Sequence, residues 1–164
     1  MRAIDSLLGE YAESHQNKTN KAIHYVCVPA IFWTVVALLW SIKLPFSFEL
    51  GEGRVIEFNA AFIALTLVLI YYIRLSFTLA LGMLFYTLLC AALCYVYEAK
   101  VGPALGGFPL WAFALITFVV AWIGQFYGHN IEGKKPSFLK DLQFLLIGPA
   151  WIMSYIYKNV GLKY

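Results

Sequence analysis

The chain holds three histidines, His15, His24 and His129, and each stands among amide or carboxylate side chains. The first two lie in YAESHQNKTNKAIH, from Tyr11 to His24, and the third in GQFYGHNIEGKKP, from Gly124 to Pro136. Imidazole is the commonest metal ligand, and neighbouring amides and carboxylates are the groups that orient it. Gln125, His129 and Glu132 fall at i, i+4 and i+7, one face of a helix. A helix beginning near Asn17 puts Asn17, Asn20 and His24 on one face as well, at spacings of three and four. His15 and His24, nine residues apart, would sit about 180° around and about 13 Å along a single straight helix. One ion can take both only if the chain breaks between them, and the polar run from Gln16 to Asn20 offers that break, with Asn or Thr as a cap.

This set suits a shared metal site of His15, His24 and His129, with Glu132 as a further ligand candidate. Asn17, Asn20 and Gln125 would orient ligands or substrate, or cap and join helices. A nitrogen and oxygen site with three protein ligands and open positions fits non-haem iron(II), with zinc-dependent hydrolysis as the competitor. Cys27, three residues past His24, is a marginal extra candidate. Three histidines cannot form an eight-histidine di-iron centre, and neither G-x-S-x-G nor a Walker loop is present. Lys134 and Lys135 read as positive-inside anchors that could also steer an acidic headgroup or a substrate carboxylate. Trp33, Trp40, Trp111, Trp122 and Trp151 read as interfacial belt and packing.

The elements that must position these residues are membrane helices. Of 164 residues, 62% are hydrophobic and 13% charged, where soluble domains carry about 25% charged residues. A net charge of +3 is too small and dispersed for a nucleic-acid track, and the apolar excess excludes disorder. Cys27, Cys90 and Cys94 sit in apolar runs and read as inert core thiols. Residues 1–22 form an amphipathic segment in which Ile4, Leu7, Leu8, Tyr11 and Ala12 share a face that His15 extends. That segment lacks the apolar region of a cleavable signal peptide.

Hydrophobic runs of the length a bilayer requires predict an all-α, polytopic integral membrane bundle in a single domain. Four spanning helices are expected at about 23–42, 58–73, 75–97 and 110–127. A fifth run at about 144–157, interrupted by Gly148 and Pro149, is expected to be kinked, re-entrant or a fifth span. Loops are expected from Pro45 to Glu57, holding Gly51 and Gly53, and from Val101 to Pro109. Arg2, Lys18, Lys21, Arg74, Lys134, Lys135 and Lys140 fall on one side, against Lys43, Arg54 and Lys100, which places the N-terminus in the cytoplasm. After an even number of crossings the start of the first span and the end of the fourth share a face. All three histidines therefore converge there, and ionisable residues at a membrane entry are functional candidates.

The two motifs, Y-x-x-x-H-x-N-x-x-N-K-x-I-H followed by Val28-Pro29, and Gln125-Phe126-x-Gly128-His129-x-x-Glu132-Gly133-Lys134-Lys135-Pro136, resemble those of the Mpo1-like family of membrane proteins. The resemblance covers almost the whole chain. It implies an iron(II)-dependent dioxygenase; the host membrane, endoplasmic reticulum or bacterial inner membrane, stays open. Such an enzyme uses O2 to shorten a long-chain 2-hydroxy fatty acid by one carbon, as in sphingolipid breakdown. It implies further that activity depends on His15, His24 and His129 as iron ligands, with Glu132 at the acidic position; three-histidine and two-histidine-one-glutamate ligation both remain open. A non-catalytic scaffold or lipid-binding protein, whose polar motifs merely close a four-helix bundle, and a zinc-dependent lipid hydrolase are the alternatives.

Overall fold

A computed structural model describes residues 2–49, 55–133 and 138–164. Helix α1 (Ala3–Glu13) buries Ile4, Leu8 and Tyr11 on the face that the sequence pattern marks as apolar. Its start is set by Arg2, whose guanidinium donates to Asp5 at 2.8 and 2.9 Å and also to the backbone carbonyl of Tyr164. A short turn leads to α2 (Lys18–Trp40), capped by Asn17, whose side chain accepts from Thr19 N at 2.8 Å and Asn20 N at 3.3 Å. Asn17 supplies an acceptor for amides that have no partner within the helix.

After α2 the chain forms a two-stranded antiparallel sheet, β1 (Lys43–Glu49) and β2 (Val55–Asn59), where the sequence suggests only a loop. Leu44, Phe46 and Phe48 alternate with Pro45, Ser47 and Glu49, a period of two that strands favour. Gly51, Gly53 and Arg54 lie outside the described residues, as do Lys134, Lys135 and Pro136.

Helix α3 (Ala60–Leu75) is capped by Asn59, and Ser76 both ends α3 and caps α4 (Phe77–Val96) by accepting from Leu79 N. This single extended residue makes the tight helical hairpin. A π-helical turn (Tyr97–Val101) and a short α5 (Gly102–Ala104) extend α4. Gly106 and Gly107, both at positive φ, turn the chain into α6 (Leu110–Glu132), which Gly133 ends in the left-handed conformation. Helix α7 (Phe138–Asn159) continues through Gly148 and Pro149, starting earlier than the hydrophobic run alone suggests.

Among the described residues three helices, Lys18–Trp40, Phe77–Ala104 and Leu110–Glu132, are long and apolar enough to cross a membrane; α3, with 16 residues, is a shorter apolar helix. The outward faces carry large apolar side chains: Phe85 is 71% exposed and Val120 and Ile123 are each 63% exposed. Such surfaces suit lipid. Inside, one core joins α1, α3, α4 and α7 through Ile4, Tyr72, Met83 and Ile147. A second joins α2, α3, α4 and α6 through Phe32, Val36, Ala61, Cys90, Cys94 and Ala114. The cysteines are free.

The most extensive helix pair is α2 with α6. Gly124 and Gly128, one turn apart, let the backbones close. A Cβ on Gly124 would stand 2.7 Å from Cys27 Sγ, and one on Gly128 would collide with Asn20 Oδ1 and meet His24 Cε1 at 3.4 Å. Small residues at this spacing are a recurrent device for helix approach in membranes, where apolar burial gives no drive. Gly124→Ala should therefore lower stability by about 1–3 kcal/mol through overpacking, despite alanine's better helix propensity. Combining it with Cys27→Ala should recover most of the loss. Thermal unfolding of the purified protein checks this; strictly additive effects of the two substitutions would contradict the contact.

Candidate metal centre

Each histidine is delivered by a different local device. His15 sits in the turn after α1, held by a backbone bond from its N–H to Ala12 O at 3.0 Å. His24 lies on the second turn of α2, and His129 on the last turn of α6. The chain brings the three together: one candidate ligand atom from each lies within 4.8 Å of the others. Ring centroids are 4.3 Å apart for His15 and His24, 5.0 Å for His24 and His129, and 5.5 Å for His15 and His129.

Two of the rings are oriented by the same device. His15 Nδ1 lies 2.6 Å from Tyr11 O, and His24 Nδ1 lies 2.9 Å from Asn20 O, each carbonyl four residues back. A carbonyl only accepts, so Nδ1 carries the proton and donates. The lone pair is then left on Nε2, the arrangement that metal-bound histidines show. His15 is 3% exposed and His24 1%, and His15 Nε2 is fully buried with no hydrogen-bond partner. An unpartnered buried acceptor is costly, and a cation bonded to it would remove that cost. Burial depresses the basicity of His15 more than the Tyr11 carbonyl restores it, so its imidazole is neutral near pH 7 and able to ligate. The residues present thus fit a metal ion bound through imidazole nitrogens, with bonds of about 2.0–2.1 Å.

The amides surround this cluster. Gln125 is buried on α6, one turn before His129. Asn20 is fully buried; its carbonyl orients His24 and its Nδ2 donates to Glu132 Oε2 at 2.9 Å. Asn17 is the cap of α2. The Glu132 carboxylate accepts from the backbone amides of Gln16 and Asn17. Cys27 turns its sulfur toward Gly124, and the ligand cluster consists of histidines alone among the described residues.

Sequence reasoning missed an aromatic wall. Tyr11 stacks on His15 with centroids 4.2 Å apart and planes 9° from parallel, and Trp151 of α7 lies 5.7 Å from His15. Phe144 and Trp151 also pack against Tyr11. Trp151 then stacks on Tyr25, which stacks on the exposed Tyr155. Trp151, assigned to packing from sequence, thus borders the candidate site. Tyr11 was detectable, since it lies four residues before His15 on the buried face. Gly148 makes room for it, because a Cβ there would meet Tyr11 Oη at 3.0 Å.

Comparison with known proteins agrees with the motif pair. The chain is 27% identical over 154 residues to 2-hydroxy-palmitic acid dioxygenase MPO1 of Saccharomyces cerevisiae, covering 92% of this chain and 77% of the yeast protein. No solved structure matches the chain. The family described as 2-hydroxy-palmitic acid dioxygenase Mpo1-like matches residues 1–160, with both histidine motifs inside the match. On that near-complete coverage, the chain belongs to the Mpo1-like family.

Proposed function

We propose that the protein is a membrane-bound, iron(II)-dependent dioxygenase that α-oxidises long-chain 2-hydroxy fatty acids. The observation that carries this reading is the convergence of three imidazoles, one with a buried, unpartnered Nε2, at one end of an apolar helix bundle. The family match and the yeast relative's name supply the substrate class.

One 2-hydroxy acid and one O2 give the acid one carbon shorter, CO2 and one water. The substrate loses four electrons and O2 takes up four, so no separate reductant is needed. Iron(II) bound by His15, His24 and His129 would bring substrate and O2 together and let electrons pass between them. The chain's own residues prepare that meeting. The Tyr11 and Asn20 carbonyls hold two rings with their lone pairs inward, and the buried Gln125 would orient ligand or substrate from α6. Tyr11 and Trp151 shut water from one side of His15. The Tyr25, Trp151 and Tyr155 stack runs outward from the site and gives an apolar substrate tail a surface to follow from the bilayer. Lys134 and Lys135 would attract the substrate carboxylate. The excess of Lys and Arg at the histidine end supports a cytoplasmic site.

Protein purified without added metal and reconstituted anaerobically should bind about one iron per chain, as a single mononuclear site demands. It should consume O2 when a 2-hydroxy fatty acid is added. His15→Ala, His24→Ala and His129→Ala should each lower turnover by more than about 100-fold, the upper end of what loss of an outer-sphere partner costs. Absence of bound iron, full activity of these variants, or product release without O2 would contradict the assignment.

The metal-free protein should also lose stability in acid. Unfolded His15 takes up a proton near its ordinary value, about 6.5, while the folded imidazole resists it. The unfolded state therefore binds more protons, and stability falls as pH drops below that value toward the depressed folded one. His15→Phe should flatten part of this slope in a pH series of thermal melts; an unchanged slope would count against a buried, neutral His15.

A further inference from the structure

Glu132 lies one turn beyond His129 on α6, yet its carboxylate faces the start of α2. Oε1 accepts from Gln16 N at 2.9 Å and Asn17 N at 3.2 Å; Oε2 accepts from Asn17 N at 2.9 Å and Asn20 Nδ2 at 2.9 Å. A carboxylate offers about four lone-pair directions, and three donors engage this one, with Asn17 N shared between both oxygens. Two of the donors are backbone amides at the entry to α2, where no intrahelical partner exists and the helix dipole favours negative charge; the third is the Asn20 side chain.

The residues held are those that place the imidazoles. Gln16 follows His15 directly. Asn20 supplies the carbonyl that orients His24, and it is wedged against Gly128, the neighbour of His129. One side chain on the helix of His129 thus grips both segments that carry the other two histidines, although more than 100 residues of chain separate them.

We propose that Glu132 is a positioning residue, a carboxylate clamp that locks the turn between α1 and α2 onto α6 and so sets the spacing of His15, His24 and His129, the metal being held by the three histidines alone. This rests on the iron reading above for the identity of the metal; the clamp itself does not.

The test compares full-length wild type, Glu132→Gln, Glu132→Ala and His129→Ala in detergent. It uses amide hydrogen exchange at Gln16 and Asn17, anaerobic iron(II) titration, and the electron paramagnetic resonance signal of the iron(II)–nitric oxide complex at saturating iron. Glu132→Ala should speed exchange at Gln16 and Asn17 by about 10- to 100-fold, the range for losing hydrogen bonds to a charged group. It should weaken iron binding by about 10- to 100-fold, as loss of an outer-sphere partner does. Glu132→Gln keeps an acceptor for both backbone amides, so its exchange should stay near wild type. Its saturated signal should match wild type, while His129→Ala alters or loses the signal.

A Glu132→Gln signal changed as in His129→Ala would make Glu132 a ligand and overturn the proposal. Unchanged exchange in Glu132→Ala would overturn it too. Should Glu132→Ala fail to fold, the Glu132→Gln signal decides. Should wild type bind no iron, the iron reading fails, and the exchange arm alone upholds or overturns the clamp.

Discussion

Everything at the candidate site depends on how closely α2 and α6 approach. Gly124 and Gly128 present bare backbone to Cys27, Asn20 and His24, and that contact puts the second turn of α2 beside the last turn of α6. In a bilayer no hydrophobic effect draws one apolar helix to another, so close packing and interhelical hydrogen bonds must hold the pair. Here both act at one level: the glycines give the approach, and Asn20 donates across it to Glu132. The histidines of the two helices meet because the backbones meet there.

His15 is recruited by a second constraint. Helix α1 is pinned over α7 by Ile4, Leu8 and Tyr11 against Ile147 and Ala150. Its last turn hands the chain to a bend whose amides are satisfied by Glu132 and Asn17. The same turn provides the Tyr11 carbonyl for His15 Nδ1 and the Tyr11 ring for its face. A buried neutral imidazole with its lone pair turned inward costs free energy in the empty protein. That cost is tolerated where a cation recovers it, as at sites organised in advance for a metal.

Much of this was legible in the sequence. The spacing of apolar residues marks the buried face of α1, and hydropathy locates α2, α4 and α6. The two histidine motifs, expected on one face from their places in the chain, meet at one end of the helices. Asn17, Asn20 and His24 share a face because α2 begins at Lys18, as the polar break suggests. Other features leave weaker traces. The glycines of α6 are small and unremarkable in composition, and only their spacing of four residues hints at close packing. The partners of Glu132 are mostly backbone amides, which every residue type but proline carries, so a pattern of side chains cannot announce them. The β1 and β2 pairing is masked by Pro45 and by glycines typical of loops. Trp151 looks like any membrane tryptophan until α7 is folded against α1.

The central claim is that one metal ion is held by three imidazoles at the contact of α2, α6 and the turn after α1. Anomalous diffraction at the iron absorption edge, from crystals of the iron-loaded protein, tests it most directly. The account predicts a single peak per chain lying among His15, His24 and His129. Absence of a peak, or a peak centred on other residues, would contradict it.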